Sequence, residues 1–359
     1  MKHIAEYRNL KLVKGLLDAI REASTKEISL MEVCGGHTMA IQKFGIPSLL
    51  PENIKLLSGP GCPVCVTDIR FIDKAIALSH QQDVIIATYG DLIRVPGSSS
   101  SLELELANGH HIQIVYSLLN ALEIARQNPA KKVVFLAIGF ETTAPATGAT
   151  VLSAAKEEIN NFFILSAHKI MPPALQAIIN HGVKINGYIC PGHVSTITGT
   201  DMYQPIVEKY KLGCVVSGFE PTDILWSILR LVKQFEGNTP KVENAYPRAV
   251  KPGGNLKAKW IMERVFLLED TWWRGFGIIK ESGLTLKPEF AHFDADLRFD
   301  IEVEETKEAK GCICGEILKG LKTPKECPLF RMVCHPTNPI GACMVSNEGA
   351  CHAYYRFGG

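Results

Sequence analysis

Several common signatures are missing from this 359-residue chain. It has no Walker A motif and no G-x-G-x-x-G fingerprint, so nothing specific points to nucleotide binding. Its 38 basic and 37 acidic residues nearly balance, which argues against nucleic acid as the main partner. No apolar run reaches the roughly 18–20 residues of a membrane-spanning helix, and residues 1–9 are largely polar, unlike a targeting segment. We therefore expect a cytoplasmic protein that has no membrane partner.

Cysteine, by contrast, is abundant. The chain contains 11 cysteines and is 46% hydrophobic and 21% charged, a composition typical of a globular protein with two or three domains. In a reducing compartment this many cysteines favour metal binding or redox chemistry over structural disulfides. Six of them lie in the last 48 residues, at Cys312, Cys314, Cys327, Cys334, Cys343 and Cys351.

Short apolar runs alternate with segments that can form helices, which predicts an α/β fold with parallel sheets. Residues 1–24 hold an amphipathic helix that packs on the body of the protein. We predict two similar α/β domains at residues 25–128 and 129–238, the four runs of the first forming one small sheet. Because ligands of open parallel sheets bind beyond the carboxyl ends of the strands, these two domains are expected to face one cleft. Residues 239–359 are expected to form an irregular third domain, with a linker followed by a helix at 256–268.

The segment Cys34-Gly35-Gly36-His37-Thr38 follows the first apolar run. Glycines let the backbone approach a ligand closely, and a thiol at a strand-to-helix turn can have its pKa lowered by the helix N-terminus. An ordinary turn beside a buried cysteine is the simpler alternative, and the pentapeptide alone does not decide between them.

A C-x-x-C motif, Cys62-Pro63-Val64-Cys65, follows the second run. At the start of a helix it predicts a redox-active dithiol, although half of a zinc site has the same spacing. The chain has no second C-x-x-C, and Cys34 offers a third thiol at the neighbouring strand end.

The terminal cysteines are widely spaced in a segment rich in loops, which favours a [4Fe–4S] cluster held by four thiolates. Zinc bound by four cysteines is the rival, but its paired C-x₂₋₄-C knuckles are missing, since Cys312-Ile313-Cys314 is too tight. Spacing alone does not say which four of the six cysteines are ligands.

Polar residues follow several predicted strands and would either orient a ligand or move protons. Helix capping is the simpler alternative, with Thr142 and Thr222 as caps and acidic residues at helix N-termini. Cys190 and Cys214 are interpreted as core residues, His168 as structural, and His80, His110, His111 and His181 as surface residues. The strand-end and cleft candidates are His37, Thr38, Asp91, Glu141, Thr142, His193 and Glu220.

Taken together, these residues resemble the HypD family of [NiFe]-hydrogenase maturation proteins. The ordered set is specific and runs nearly end to end. The matching segments are MEVCGGHT at 31–38, GPGCPVC at 59–65, GD at 90–91, RVPG at 94–97, GFETT at 139–143, PGHV at 191–194, GFEP at 218–221 and VSNEGAC at 345–351.

The resemblance implies an assembly scaffold on which, together with the chaperone HypC, the Fe(CN)₂CO group of the hydrogenase is built. It implies HypE as cyanide donor, with HypF upstream, and the hydrogenase large subunit as an indirect partner. The implied iron ligand is Cys34, with His37 beside it, and the implied cleft dithiol is Cys62 with Cys65. The implied ligands of the [4Fe–4S] cluster are Cys314, Cys327, Cys334 and Cys351. One departure is Met39, where the family commonly has a second histidine.

Two hypotheses follow. In the first the protein is mainly a scaffold, in which the dithiol and the cluster supply electrons for reductive steps. In the second it is a thiol–disulfide reductase of the ferredoxin:thioredoxin reductase type, with a protein disulfide as its substrate. A zinc-stabilised binding protein is a third, simpler alternative.

Overall fold

The computed structural model describes residues 5–358, and these form an α/β protein with two parallel sheets. The strands are β1 (Ile28–Glu32), β2 (Ile54–Ser58), β3 (Val84–Thr88), β4 (Ile112–Ile114), β5 (Lys132–Gly139), β6 (Phe162–His168), β7 (Gly187–Pro191), β8 (Gly213–Ser217), β9 (Val242–Asn244), β10 (Phe266–Trp273) and β11 (Gly277–Leu286).

The helices lie mostly between the strands, as the alternating pattern predicts. They are α1 (Leu10–Ala23), α2 (Gly35–Lys43), α3 (Ile46–Leu49), α4 (Pro63–Val66), α5 (Ile69–Ser79), α6 (Leu102–Ala107), α7 (Leu118–Gln127), α8 (Ala144–Lys156), α9 (Met171–Asn180), α10 (Gly192–Thr198), α11 (Gln204–Tyr210), α12 (Pro221–Glu236), α13 (Leu256–Val265), α14 (Ala295–Arg298), α15 (Cys314–Leu318), α16 (Ala342–Val345) and α17 (Ala350–Phe357). Short 3₁₀ helices are found at Ala5–Arg8, Asp201–Tyr203, Pro288–Phe293 and Pro324–Glu326.

The larger sheet has five parallel strands in the order β2-β1-β7-β8-β9, and the smaller has four parallel strands in the order β4-β3-β5-β6. Every residue of β3, β7 and β8 is buried, because helices cover both faces of such sheets. The predicted α/β class with parallel sheets is therefore confirmed.

The strands are distributed between the sheets differently from the prediction. The first four strands do not form one sheet: β1 and β2 pair with each other, and β1 pairs on its other side with β7, while β3 and β4 belong to the smaller sheet. Buried parallel strands are all short apolar runs, so the sequence does not reveal which run pairs with which. Residues 25–128 and 129–238 each contribute strands to both sheets, and as domains they stay a prediction.

The predicted N-terminal helix is present as α1, and residues 1–4 of the predicted segment lie outside the described residues. Asn9 caps α1, because its side-chain oxygen accepts hydrogen bonds from Lys11 N at 2.9 Å and Leu12 N at 3.4 Å. Leu17 and Ile20 are the buried positions of α1, and the helix packs on α12.

The C-terminal part is more regular than predicted. The expected linker contains β9, which is the edge strand of the larger sheet, and the expected helix at 256–268 ends at Val265, where β10 begins. Strands β10 and β11 form an antiparallel pair. Beyond Leu286 the chain consists mainly of loops and short helices that carry the terminal cysteines. Within residues 5–358 no helix is both long and apolar enough to cross a membrane.

Candidate functional site

A cavity of about 530 Å³ lies where the carboxyl ends of strands from both sheets come together. It brings together four residues that the sequence singled out as candidates, namely Cys34, Asp91, Thr142 and His193. Other lining residues are Gly61, Pro63, Val64, Tyr89, Tyr116, Phe140 and Glu348. This is the position in which open parallel sheets bind ligands.

Cys34 stands between the end of β1 and the start of α2 and is buried. Gly35 and Gly61 lie next to Cys34, and each is packed so closely against other chain atoms that a side chain would not fit. A Cβ on Gly61 would lie 2.1 Å from Cys34 N, and one on Gly35 would lie 2.4 Å from Glu348 Cβ. The two loops are joined by a hydrogen bond in which Gly35 N donates to Gly61 O at 3.0 Å. The glycines therefore let three chain segments meet around one thiol.

The thiol of Cys34 is hard to ionise. Burial, together with the nearby negative charge of Glu348, raises its pKa to about 12. A helix N-terminus can lower the pKa of a thiol, but in the folded protein burial outweighs that effect. A thiol with such a pKa is a poor free nucleophile, and a bound cation would favour its thiolate form.

A buried carboxylate that was not among the predicted site residues supports this turn. Glu32 accepts hydrogen bonds from Thr38 Oγ1 at 2.5 Å and from Cys34 N at 3.1 Å. Burial raises the pKa of Glu32 to about 8. An acidic residue inside an otherwise apolar strand was the available sequence signal, since such a group is rarely buried without a specific partner.

Glu32 predicts a pH dependence of stability. Its folded pKa of about 8 lies above the ordinary value of 4.5, so its stabilising contribution is complete below about 4.5 and is lost as the pH rises through 8. In Glu32→Gln the fall in the free energy of unfolding between about pH 5 and pH 8 is expected to be smaller, by on the order of 2 kcal/mol. Urea unfolding at several pH values measures this. The exposed Glu22 on α1 supplies the control Glu22→Gln, which should follow the wild type. Parallel curves for Glu32→Gln and wild type would contradict the shift.

An aromatic stack stands beside the cavity. Phe219 lies between His37 and His193, with ring centroids 4.6 Å and 4.1 Å away. His37 Nε2 donates to Gly218 O at 2.9 Å, and its Nδ1 has no hydrogen-bond partner among the described residues. Burial lowers the pKa of His37 to about 4, so the ring is neutral at neutral pH. Phe219 was missed as a site residue because only the fold brings α2, β8 and α10 together.

The C-x-x-C cysteines form a disulfide at the start of α4. Both are buried, and Cys65 N donates to Cys62 Sγ at 3.2 Å. Helix α4 packs against α15 and α16, which carry Cys314 and Cys343. The buried Arg274 holds the other end of α4, donating to Cys65 O at 3.1 Å and to Thr67 O at 3.0 Å. The disulfide thus lies between the main cavity and the C-terminal cysteines.

The six terminal cysteines converge. Five of them, Cys312, Cys314, Cys327, Cys334 and Cys351, line a narrow cavity of about 10 Å³. The sulfurs of Cys312 and Cys314 are 3.3 Å apart, and Cys343 is completely buried beside Cys314 and Cys351. A Cβ on Gly341 would lie only 2.6 Å from Cys314 Sγ, so this glycine makes room for the thiol. A buried group of soft sulfur donors is the chemistry that iron–sulfur clusters and zinc require.

The three acidic candidates, Asp91, Glu141 and Glu220, lie in different parts of the structure. Asp91 lines the cavity and accepts a hydrogen bond from Ser346 Oγ at 3.1 Å. Glu141 faces a second cavity of about 440 Å³, accepts from Met171 N at 2.9 Å, and has its pKa raised by burial to about 7. Glu220 is the N-cap of α12 and pairs with Arg8, so the capping interpretation fits this residue.

Of the residues interpreted as structural, Cys190 and Cys214 are completely buried in β7 and β8, and His168 is buried with its Nε2 2.8 Å from Thr147 Oγ1. Glu348 lies against Gly35 and the cavity and was not predicted individually, because a C-terminal loop brings it there.

Comparisons with known proteins agree over nearly the whole chain. The family model described as "HypD: Hydrogenase formation hypA family" matches residues 11–358. The chain is 47% identical to a putative hydrogenase expression/formation protein of Methanocaldococcus jannaschii, over 96% of this chain and 97% of that protein. It is 44% identical to the hydrogenase maturation factor HypD of Azotobacter vinelandii, over 100% and 97% of the two chains. For HypD of Escherichia coli the identity is 40%, over 99% and 98%.

Proposed function

Because the chain belongs to the HypD family of hydrogenase maturation factors, we propose that it acts with a small HypC chaperone as the scaffold for the Fe(CN)₂CO group of [NiFe]-hydrogenase. Iron is the cargo that the scaffold holds. HypE, with HypF upstream, supplies cyanide, and the hydrogenase large subunit receives the finished group indirectly. The proposed location is the cytoplasm, where a chain with nine free cysteines stays reduced.

The observation that carries the proposal is the environment of Cys34. Its thiol lines a cavity at the strand ends, with Glu348 also lining the cavity and Glu32 beneath it, and its pKa of about 12 keeps it protonated until a cation arrives. Iron binding would displace that proton, and Cys34 would then hold the metal as a thiolate. A soft thiolate suits iron that carries cyanide and CO, and the walls of the cavity limit access of water and oxygen.

His37 supports this site as a neutral group. Its Nε2 proton is committed to Gly218 O, which fixes the ring and leaves Nδ1 as a buried acceptor. Met39 stands in place of a second histidine, and His193, which lines the cavity with Cys34, is a second imidazole whose pKa burial lowers. Asp91 and Thr142 also contribute polar groups to the lining of the cavity.

Electron supply is proposed to run through α4. Reducing the Cys62–Cys65 disulfide takes two electrons and two protons and yields two thiols. The donors fit a [4Fe–4S] cluster, because buried and partly buried cysteines converge on one small cavity and Gly341 leaves space for the sulfurs of Cys312 and Cys314. Cys314, Cys327, Cys334 and Cys351 would hold the cluster, which supplies single electrons when bound. Contact of α4 with α15 and α16 supports a short route from these cysteines to the disulfide.

The reductase alternative rests on the same disulfide. It calls for a reactive thiol that an incoming protein disulfide can reach, and Cys62 and Cys65 are 3% and 0% exposed. That burial favours the scaffold. Turnover of a disulfide substrate by a preparation without bound diatomic ligands would favour the reductase.

The test is infrared spectroscopy of the chain purified anaerobically with its HypC partner. The wild-type complex is expected to show cyanide and CO stretching bands. Cys34→Ala is expected to lose them completely, because no other thiol of residues 5–358 lines the cavity, while the absorbance of the cluster is retained. Cys190→Ala, which removes a buried thiol from β7, is the matched control and should keep the bands. Unchanged bands in Cys34→Ala would reject Cys34 as the iron ligand.

A further inference from the structure

A second group of possible metal ligands lies outside the site described above. His80, Glu105 and His110 bring their ligand atoms within 4.8 Å of one another. His80 Nε2 is 2.8 Å and His110 Nε2 is 3.4 Å from the same oxygen, Glu105 Oε2. The sequence indicated that both histidines are surface residues, and their side chains are indeed 51% and 33% exposed, but it did not reveal the carboxylate that they share.

Local structure fixes the three residues. His80 caps the C-terminus of α5, and Glu105 lies on the short helix α6. The chain then turns at Gly109, whose positive φ of 93° suits glycine, and His110 N donates to Glu105 O at 3.1 Å. The turn therefore places His110 next to the carboxylate of Glu105.

The carboxylate is held in one orientation. Glu105 is 6% exposed, and its other oxygen, Oε1, accepts a hydrogen bond from Ser100 Oγ. This leaves Oε2 directed at the two imidazoles. A partner that fixes the orientation of a ligating carboxylate is a regular feature of metal sites.

The donor separations suit zinc. With bonds of about 2.0–2.2 Å and tetrahedral angles, two ligand atoms on zinc lie roughly 3.3–3.5 Å apart. The 3.4 Å between Glu105 Oε2 and His110 Nε2 matches that separation, and His80 needs to retreat by about half an ångström. Two imidazoles and one carboxylate favour zinc over magnesium or calcium, which prefer oxygen ligands only.

We propose that His80, Glu105 and His110 form a zinc site whose fourth position is open to water. The two exposed imidazole faces leave room for that water. Zinc would join the end of α5 to α6. The segment between β3 and α6 begins with Tyr89 and Asp91, which line the main cavity. Asp73 on α5 already fixes this segment, because its side chain accepts a hydrogen bond from Ser98 N at 2.7 Å. Bound zinc would thus link α5 to this segment at a second point.

The test uses crystals of the full-length protein soaked with zinc chloride, with anomalous scattering recorded at the zinc edge. We expect a peak between His80 Nε2, His110 Nε2 and Glu105 Oε2. The position of the peak separates this site from zinc bound by the terminal cysteines. A map without a peak there, recorded when other sites are filled, would overturn the proposal.

Titration with zinc and a competing chelator supplies the solution measurement. His80→Ala and His110→Ala are expected to bind one equivalent less than wild type, while His111→Ala, the neighbouring exposed histidine, binds the wild-type amount. Ser100→Ala, which removes only the group that orients Glu105, is expected to lower the zinc affinity of this site by roughly 10–100-fold. If a histidine variant does not fold, Glu105→Gln takes its place, since it keeps the shape and removes the charge. Equal stoichiometry in all variants would also overturn the proposal.

Discussion

A Gly61→Ala variant is expected to lose about 3 kcal/mol or more of its free energy of unfolding. The added Cβ would lie 2.1 Å from Cys34 N, 2.3 Å from Cys34 Cα and 2.5 Å from Val33 C. These are backbone atoms at the end of β1, so no side-chain rotation can relieve the overlap. The loop before the disulfide and the turn that carries Cys34 would have to separate, which also displaces the proposed iron ligand.

Urea unfolding of the metal-free protein measures the loss. Gly15→Ala in α1 is the matched control, because among the described residues nothing outside the adjacent helix backbone lies within 4 Å of its added Cβ, and alanine is the better helix former. That variant should gain roughly 0.5–1 kcal/mol. The two identical chemical changes are therefore expected to have opposite signs. Similar unfolding midpoints for Gly61→Ala and wild type would mean that the two loops are not in contact as described.

Loss of one proposed cluster ligand is the second large effect. Cys334→Ser and Cys351→Ser are each expected to abolish binding of about four irons and of inorganic sulfide, because a [4Fe–4S] cluster needs four strong ligands. Cys343→Ala is expected to retain the cluster. Cys343 is buried next to Cys314 and Cys351, yet it does not line the cavity that the other five cysteines share.

Iron and sulfide analysis of anaerobically purified variants, with absorbance spectra, checks this assignment. Cys312→Ala belongs in the same series, since Cys312 does line the cavity and lies 3.3 Å from Cys314. If Cys343→Ala or Cys312→Ala loses the cluster and one of the assigned variants keeps it, then Cys343 or Cys312 is a cluster ligand in place of that assigned cysteine. One zinc in place of four irons in the wild type would reject the cluster itself.

Local features of the fold were predictable from the sequence. Short apolar runs marked the strands of both sheets except β9, which lies in the expected linker, and helical spacing marked α1. Pairing between strands was not predictable, because Leu30 of β1 pairs with Gly187 of β7, far away in the sequence, and every buried parallel strand has the same apolar character. The pair β10–β11 was missed because its apolar residues continue directly from α13.

The site shows the same division. Cys34, His193, Asp91 and Thr142 were recognisable, since reactive or turn-forming residues follow apolar runs, and they line one cavity. The raised pKa of Cys34 was not predictable, because its burial and the nearby Glu348 depend on segments far away in sequence. Not every polar residue at a strand end belongs to the site. Glu220 follows β8, but it is the N-cap of α12.

The order of strands in the two sheets has a consequence for folding during synthesis. All four strands of the smaller sheet lie between Val84 and His168, so this sheet can form as soon as that stretch has left the ribosome. The larger sheet must wait, because β1 and β2 are made first and their neighbour β7 begins only at Gly187. Closing that long loop is slow, and the unpaired edge of β1 stays exposed in the meantime. The nascent chain is therefore expected to be most prone to aggregation through β1, the strand that delivers Cys34.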